Sequence, residues 1–345
     1  KIDLAGAKLG QGNVHPARRL LEQCPVRFRN WEWHFLEDVC RRAENNVYGG
    51  ISGGTTFSVS PDGKQLAQPW LSGICLYDVS QSEEKSYHEV SGGRAAAVSF
   101  CLQGRALAVL NRKGLAVFDL AEWQERWRID YTAKGTAEIF SASNGRIFAT
   151  VLQVGGEPVT VWDAETGTVR SRLHPLGTGT CCWVEFSDEG TRAWVAWEEG
   201  LSLYNVETGK MTREIRVSQP VAAADISPDW CRAVLATDVS VDVFEMETGE
   251  KKRELWQHRW TPPAVTFIRQ GGAIVTAHRD GRLRRWEEHG LSPAEVRMPE
   301  AFAIRESPGG ESLFVLGKYT REIYRTFFRN WWGGGVHPQA RVRIN

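Results

Sequence analysis

Seven times along this chain a short apolar run ends in an aromatic residue followed by Asp or a residue standing in its place. The pairs are Tyr77-Asp78, Phe118-Asp119, Trp162-Asp163, Tyr204-Asn205, Phe244-Glu245, Trp286-Glu287 and Tyr324-Arg325, and the aromatic positions step by 41, 44, 42, 40, 42 and 38 residues. A second mark keeps the same beat: a small-polar turn that usually ends in Gly, at Gly63, Gly104, Gly145, Gly190, Trp230, Gly271 and Gly310. Two marks on one period mean repeated supersecondary units, and this constrains the fold before any residue chemistry is considered.

Each unit holds β-type runs between its marks. Arg192–Trp197, Ala233–Thr237 and Ala273–Ala277 have the period-two spacing of half-buried strands. Runs such as Cys182–Phe186 and Ala264–Phe267 precede the small-polar turn, and another strand follows a Thr-Gly turn as in Glu165-Thr166-Gly167, Glu207-Thr208-Gly209 and Glu247-Thr248-Gly249. That makes four strands and three turns per unit. In Ser60-Pro61-Asp62-Gly63, Pro presets φ, Asp bonds the backbone and Gly takes the positive φ. Trp230 stands in the Gly place of Ser227-Pro228-Asp229-Trp230. A bulky residue at positive φ is costly, so that turn is expected to take another form.

A small four-stranded sheet cannot bury both faces alone. Stacked radially, each sheet covers its neighbour, and seven units fall within the usual four to eight blades. With Trp162-Asp163, and more weakly Trp286-Glu287, the chain resembles the WD40-repeat family over roughly residues 46–330. The resemblance implies an all-β, seven-bladed WD40-type β-propeller. It departs from the family in lacking any Gly-His dipeptide; only His278, Asp280 and Trp286 approach the His–Asp–Ser/Thr–Trp network that WD40 blades often carry.

Residues 1–44 read differently, as a helical lead-in. Pro16 opens and Pro25 stops one helical stretch, and Asn30 can cap another with Trp33, Leu36, Val39 and Cys40 on one stripe. Leu4, Ala5, Lys8 and Leu9 before Gly12-Asn13 and the Pro16 stretch after it read as two short helices around a Gly-Asn turn, which look like half of a tetratricopeptide-type pair. The string Leu20-Leu21…Cys24-Pro25…Trp31-Glu32-Trp33…Leu36…Cys40 is similar to the segment joining kinase and WD40 tail in large bacterial serine/threonine protein kinases. That resemblance implies a signalling kinase domain upstream. Lys1 in place of Met fits a chain that starts inside a longer protein, or a processed one. The expected domains are thus the lead-in at 1–44, the propeller at 46–330 and a C-terminal tail at 331–345. Ring closure is expected from Val47-Tyr48-Gly49 laid beside the strand ending at Tyr324, the alternative being Ala340–Ile344.

Lys plus Arg equals 42, as does Asp plus Glu, so the net charge is zero. This argues against a dedicated nucleic-acid binder, which needs a basic face. No 18-residue apolar stretch or leader pattern occurs, so no membrane segment is expected within the chain. Cys24, Cys40, Cys75, Cys101, Cys181, Cys182 and Cys231 are odd in number and lack a Cys-x-x-Cys pair; reduced thiols and a cytoplasmic setting are expected. On a strand, Cys181 and Cys182 point to opposite faces.

Several motifs invite catalytic readings that their context denies. His278-Arg279-Asp280 lacks the Asn five residues on that a kinase catalytic loop requires; Arg285 sits there, and the segment reads as a hairpin. Gly50-Ile51-Ser52-Gly53-Gly54 has nucleophile-elbow spacing but precedes a strand pattern instead of a helix. The eight histidines show no metal-ligand spacing. No catalytic residue, metal or cofactor is therefore expected, although a propeller enzyme with its site at the channel mouth stays as an alternative.

The expected function is non-catalytic: a scaffold or sensory platform, the tail of a bacterial signalling kinase or a stand-alone WD40 scaffold, holding a protein or peptide on one face. By resemblance, that face gathers the loops entering each first strand and the loops between second and third strands. The candidate partner-binding residues there are Arg94, Arg112, Lys134, Trp197, Arg259, Trp260, Arg279 and Tyr319. Of fifteen tryptophans, Trp70, Trp197 and Trp260 fall in or beside expected loops, and exposed aromatics among arginines are what binding hot spots are made of.

Overall fold

The computed structural model describes residues 20–21, 23–25, 57–70, 73–78, 85–91, 93, 95–130, 137–152, 154–175, 177–257, 264–268, 272–278, 282–287, 293–297, 301–306, 312–317, 323–327 and 342–344. The chain divides into two compact units, Lys1–Ile51 and Ser52–Asn345. In the first, Leu20 and Leu21 are helical and the Cys24 amide donates to the Leu21 carbonyl at 2.9 Å. The rest of the expected lead-in, including Trp33, Leu36 and Cys40, lies outside the described residues.

The second unit is all-β and propeller-like: seven four-stranded antiparallel sheets, each a run of consecutive strands. Sheet one holds β1 (Ser58–Val59), β2 (Gln65–Trp70), β3 (Gly73–Asp78) and β4 (Lys85–Glu89); sheet two holds β5 (Ala95–Cys101), β6 (Ala106–Asn111), β7 (Gly114–Asp119) and β8 (Glu125–Asp130). Sheet three holds β9 (Ala137–Ser141), β10 (Ile147–Leu152), β11 (Val159–Asp163) and β12 (Val169–Leu173); sheet four holds β13 (Cys181–Phe186), β14 (Arg192–Trp197), β15 (Gly200–Asn205) and β16 (Met211–Arg216). Sheet five holds β17 (Val221–Ile226), β18 (Arg232–Thr237), β19 (Ser240–Glu245) and β20 (Lys251–Gln257); sheet six holds β21 (Ala264–Phe267), β22 (Ile274–His278), β23 (Arg282–Trp286) and β24 (Ala294–Arg297). Sheet seven holds β25 (Ala301–Glu306), β26 (Ser312–Gly317), β27 (Ile323–Phe327) and β28 (Val342–Ile344).

Every landmark aromatic falls on the third strand of its sheet, and Tyr77, Phe118, Trp162, Tyr204, Phe244 and Trp286 are all buried. The acidic residue after it starts the next turn. Asp163 Oδ1 accepts from the Glu165 and Thr166 amides at 3.1 and 3.0 Å, and Asn205 Oδ1 accepts from Thr208 N at 2.8 Å. Gly167 closes this turn at φ 72°, its amide bonded to the Asp163 carbonyl at 2.9 Å. Where its second residue is Asp or Asn, the pair couples a core plug to an Asx-turn; at Glu245 the turn is closed by the backbone alone, Gly249 N donating to the Glu245 carbonyl at 2.8 Å.

Sheets pack face to face through apolar seams. Ile74 meets Val98 and Phe100 between sheets one and two. Val117 meets Phe148 and Trp162 between two and three. Val161 meets Val184 and Phe186 between three and four. Leu201 meets Ile226 and Leu235 between four and five. Val243 meets Phe267 and Trp286 between five and six. Leu283 meets Ile304 and Leu313 between six and seven. The seventh seam returns to the start: Phe314 of sheet seven packs with Phe57, Leu66 and Tyr77 of sheet one.

This circuit corrects the reading of the middle strands as half-buried. On β14, Ala193, Val195 and Trp197 enter the seam with sheet three, while Trp194 and Ala196 enter the seam with sheet five. Both faces are covered, so the strand is apolar at successive positions. The cysteines obey the same geometry. Cys181 joins one seam and Cys182 packs against the other. Burial pushes the Cys181 thiol well above its ordinary range and Cys182 up to about 12, which suits space-filling and not redox chemistry.

Two expectations about local structure are overturned. Ser60-Pro61-Asp62-Gly63 folds as read: Ser60 Oγ donates to Asp62 Oδ1 at 2.5 Å, Gln65 N donates to Ser60 Oγ at 2.8 Å, and Gly63 has φ 70°. The Trp230 turn keeps that same form instead of adopting another. Ser227 Oγ donates to Asp229 Oδ1 at 2.5 Å, Trp230 N to the Ser227 carbonyl at 2.8 Å, and Trp230 sits at φ 60°. The ring compensates: it packs on the seam between sheets four and five, with the Arg192 guanidinium 5.3 Å from its centroid. Secondly, β28 pairs antiparallel with β27, Tyr324 opposite Arg343. The C-terminal stretch therefore supplies the fourth strand of sheet seven, and residues 342–344 belong to the sheet instead of to a separate tail. Val47-Tyr48-Gly49, which was expected there, lies outside the described residues.

The left-handed conformation costs a non-glycine residue about 1–2 kcal/mol. Trp230→Gly and Trp230→Ala remove the same ring and differ mainly in that cost. The Gly variant is expected to be the more stable by about 1 kcal/mol in urea unfolding, and equal midpoints would contradict a strained backbone at this turn.

Candidate functional site

The first strands of successive sheets lie side by side, and together they line a cavity of about 420 Å³. One position on each first strand falls five residues before the turn landmark: Ser58, Ser99, Phe140, Glu185, Asp225, Thr266 and Arg305, all of which line the cavity. Six of the seven are polar or charged in otherwise apolar strands, so they stand out once the repeat is aligned. They form no cluster in linear order, because consecutive members stand about forty residues apart, and only the repeat period brings them into one set.

These side chains tie neighbouring sheets together at the cavity wall. Ser58 Oγ accepts from Phe100 N at 3.1 Å, and Ser141 Oγ donates to Ser99 Oγ at 2.8 Å. Asp225 Oδ2 accepts from Phe267 N at 2.7 Å and Thr266 Oγ1 at 2.9 Å, and its Oδ1 from Ile226 N at 2.9 Å. Burial raises the Asp225 carboxyl above its ordinary range, with these donors and Arg305 partly offsetting it. Burial likewise raises Glu138, against the opposing pull of Arg305. Arg305 Nη1 donates to the Ile304 carbonyl at 3.0 Å.

The expected face is less completely laid out. Arg112 is exposed in the turn between β6 and β7, where Asn111 Oδ1 accepts from Lys113 N and Gly114 N at 2.9 and 3.1 Å. Trp197 is not a loop residue. It ends β14, is 3% exposed and packs in the seam between sheets three and four; the covered second face of the strand removes it from the surface. Trp70 ends β2. Arg94, Lys134, Arg259, Trp260, Arg279 and Tyr319 lie outside the described residues.

Antiparallel order puts the turns between second and third strands at the same end as the crossings to the next sheet. Arg112, Val154, Glu198, Glu199 and Val239 therefore share one face. Glu198 and Glu199 organise it: Glu198 Oε1 accepts from Thr180 Oγ1 at 2.6 Å, and Glu199 Oε1 from Gly179 N at 2.8 Å. Val154 and Val239, on the same face, are 38% and 45% exposed.

The motifs denied a catalytic role divide as follows. β22 and β23 pair with His278 opposite Arg282, the hairpin that was expected. His278 is buried, and Thr276 Oγ1 lies 2.7 Å from its Nε2 and accepts from Trp286 Nε1 at 2.9 Å. Trp162 Nε1 bonds Thr150 Oγ1 at 2.9 Å in the same way. A Thr–Trp hydrogen bond between second and third strands thus recurs in sheets three and six, without a Gly-His dipeptide. Residues 50–54 and Asp280 lie outside the described residues. Among the described residues no group of three or more His, Cys, Asp or Glu is placed to hold a metal ion, and no helix is long and apolar enough to cross a membrane. Compared with known families and curated proteins, the chain matches no family model and no curated protein.

A carboxyl whose folded pKa is raised leaves the native state carrying a penalty above that pKa, which is relieved as pH falls towards the unfolded value. Glu138→Gln is therefore expected to stabilise the protein at pH 7. The advantage should shrink as pH falls through the raised pKa and be gone below about 4.3, the unfolded value. Urea midpoints of both proteins across that range check this; a constant difference would assign it to packing. Asp225→Ala, by contrast, strips the acceptor from three donors and should cost about 2–4 kcal/mol.

Proposed function

We propose that the second unit is a seven-bladed WD40-type β-propeller that works as a non-catalytic interaction platform. The observation that carries the reading is the closed circuit of seven seams, in which each sheet is held on both faces and Phe314 returns the last to the first. Such a body presents its loops with little conformational freedom to lose, so binding there costs less ordering entropy. The resemblance of the lead-in favours the tail of a bacterial signalling kinase in the cytoplasm; a stand-alone scaffold is the second form of the same reading. The sequence upstream of Lys1 separates the two.

The partner-binding face on this reading combines Arg112 with Arg94, Lys134, Arg259, Trp260, Arg279 and Tyr319, and excludes buried Trp197. A propeller enzyme would need reacting groups converging at the channel mouth; turnover of a substrate by the purified chain would favour that alternative.

In pull-downs, Arg259→Ala with Trp260→Ala is expected to reduce recovery of a bound protein about tenfold, an order typical of losing hot-spot anchors. Glu207→Ala, in an exposed turn at the opposite end of sheet four, should leave recovery unchanged. Equal recovery by all three proteins would remove that face from contention.

A further inference from the structure

We propose that a second, smaller pocket, at the loop-bearing end of sheet four, is an internal hydration site whose water accepts the indole hydrogen of Trp197, a role independent of the platform reading. Trp197 is 3% exposed, and its Nε1 meets no hydrogen-bond acceptor among the described residues. An indole N–H can only donate. Buried without a partner, it forfeits the bond it made to water in the unfolded chain, so such a group calls for an acceptor at hand.

The pocket has a volume of about 70 Å³, and Trp197, Ser202, Glu214 and Arg216 line it. Strand register brings them together. Trp197 stands opposite Gly200, Gly200 opposite Arg216 and Ser202 opposite Glu214, so all five share one face of sheet four. Gly200 contributes no side chain there. Tyr204, next on that face, donates its hydroxyl to the His174 carbonyl at 2.6 Å. Burial raises the Tyr204 pKa, and the nearby Trp197 indole and Ser202 hydroxyl oppose the rise. The indole N–H therefore lies on the Ser202 side of the ring, towards the pocket. The crossing from β12 to β13 is held over this end of the sheet by Gly179 N, which donates to Glu199 Oε1 at 2.8 Å, and Gly177 of the same crossing lines the pocket.

Chemistry at the wall selects the occupant. Glu199 and Glu214 both line the pocket, and Arg216 Nε already donates to Glu214 Oε1 at 2.8 Å. An anion would meet two carboxylates and a guanidinium that is already paired. A cation would leave the indole hydrogen without an acceptor. A neutral molecule that both accepts and donates serves the indole and Ser202 together, and water does so in the smallest volume. One water needs about 10–15 Å³ of such space and two to four polar partners. The pocket exceeds the first requirement, and Trp197, Ser202 and Glu214 meet the second. Glu199 and Arg216 are exposed, so the charged end of the pocket gives water a way in.

The test uses the full chain. In a high-resolution crystal structure an ordered water is expected about 2.7–3.2 Å from Trp197 Nε1. In solution, nuclear magnetic resonance of protein carrying isotope-labelled tryptophan reads the same contact. Trp197→Phe keeps an aromatic ring and removes the donor, so the indole signal it loses is that of Trp197. In the wild type this indole proton is expected to show an Overhauser transfer from water that changes sign in the rotating frame, which separates a bound water from proton exchange. If the variant does not fold, the wild-type crystal structure decides alone. A pocket without ordered water at Nε1 would overturn the proposal, as would an indole bonded directly to Tyr204 Oη or to any other acceptor. So would an assigned indole proton that receives no such transfer.

Discussion

The structure depends on apolar contact between sheets. A single four-stranded antiparallel sheet of this length has two faces and too little mass to cover them, so it gains stability only from neighbours. Here every sheet has two neighbours, because the seam between sheets seven and one closes the series. At about 25 cal/mol per Å² of apolar surface removed from water, seams built from residues such as Phe148, Leu201, Leu235 and Phe314 outweigh any single hydrogen bond. Opening one seam would expose two faces at once, so the sheets hold together cooperatively.

Polar groups refine this apolar frame at its inner and outer limits. Inside, Ser58, Ser99 and Asp225 link one first strand to the next, and their pairing removes the penalty of burying strand amides at the cavity wall. Outside, the fourth strands carry charge: Arg126 and Arg128 on β8, Arg170 and Arg172 on β12, Lys251 and Lys252 on β20. Charged edge strands resist pairing with other chains. Arg126 bridges Asp119 of its own sheet and Glu165 of the next at 3.3 and 2.9 Å, although pairs so open to water contribute little to stability.

A rigid body offers two kinds of surface, the loop-bearing faces and the cavity bounded by first strands. The cavity positions are dictated by the repeat, and chemistry placed there is presented from seven directions. Asp225 and Arg305 are held by backbone contacts in this frame, so the charges they carry are preorganised.

The amino-acid sequence by itself determined the number of units, the four-strand content of each and the turn chemistry of Ser60–Gly63. All of these are local: a strand period, a turn residue or an Asx bond is complete within a few residues. Tertiary structure alone decided that Trp197 is core and not surface, that Trp230 keeps a left-handed turn under the Arg192 guanidinium, and that Val342–Ile344 completes the last sheet. Each of these turns on what lies across a seam, which is set by residues about forty positions away or at the far end of the chain. Residue spacing reports the period of a strand; it does not report whether the second face of that strand meets water or another sheet.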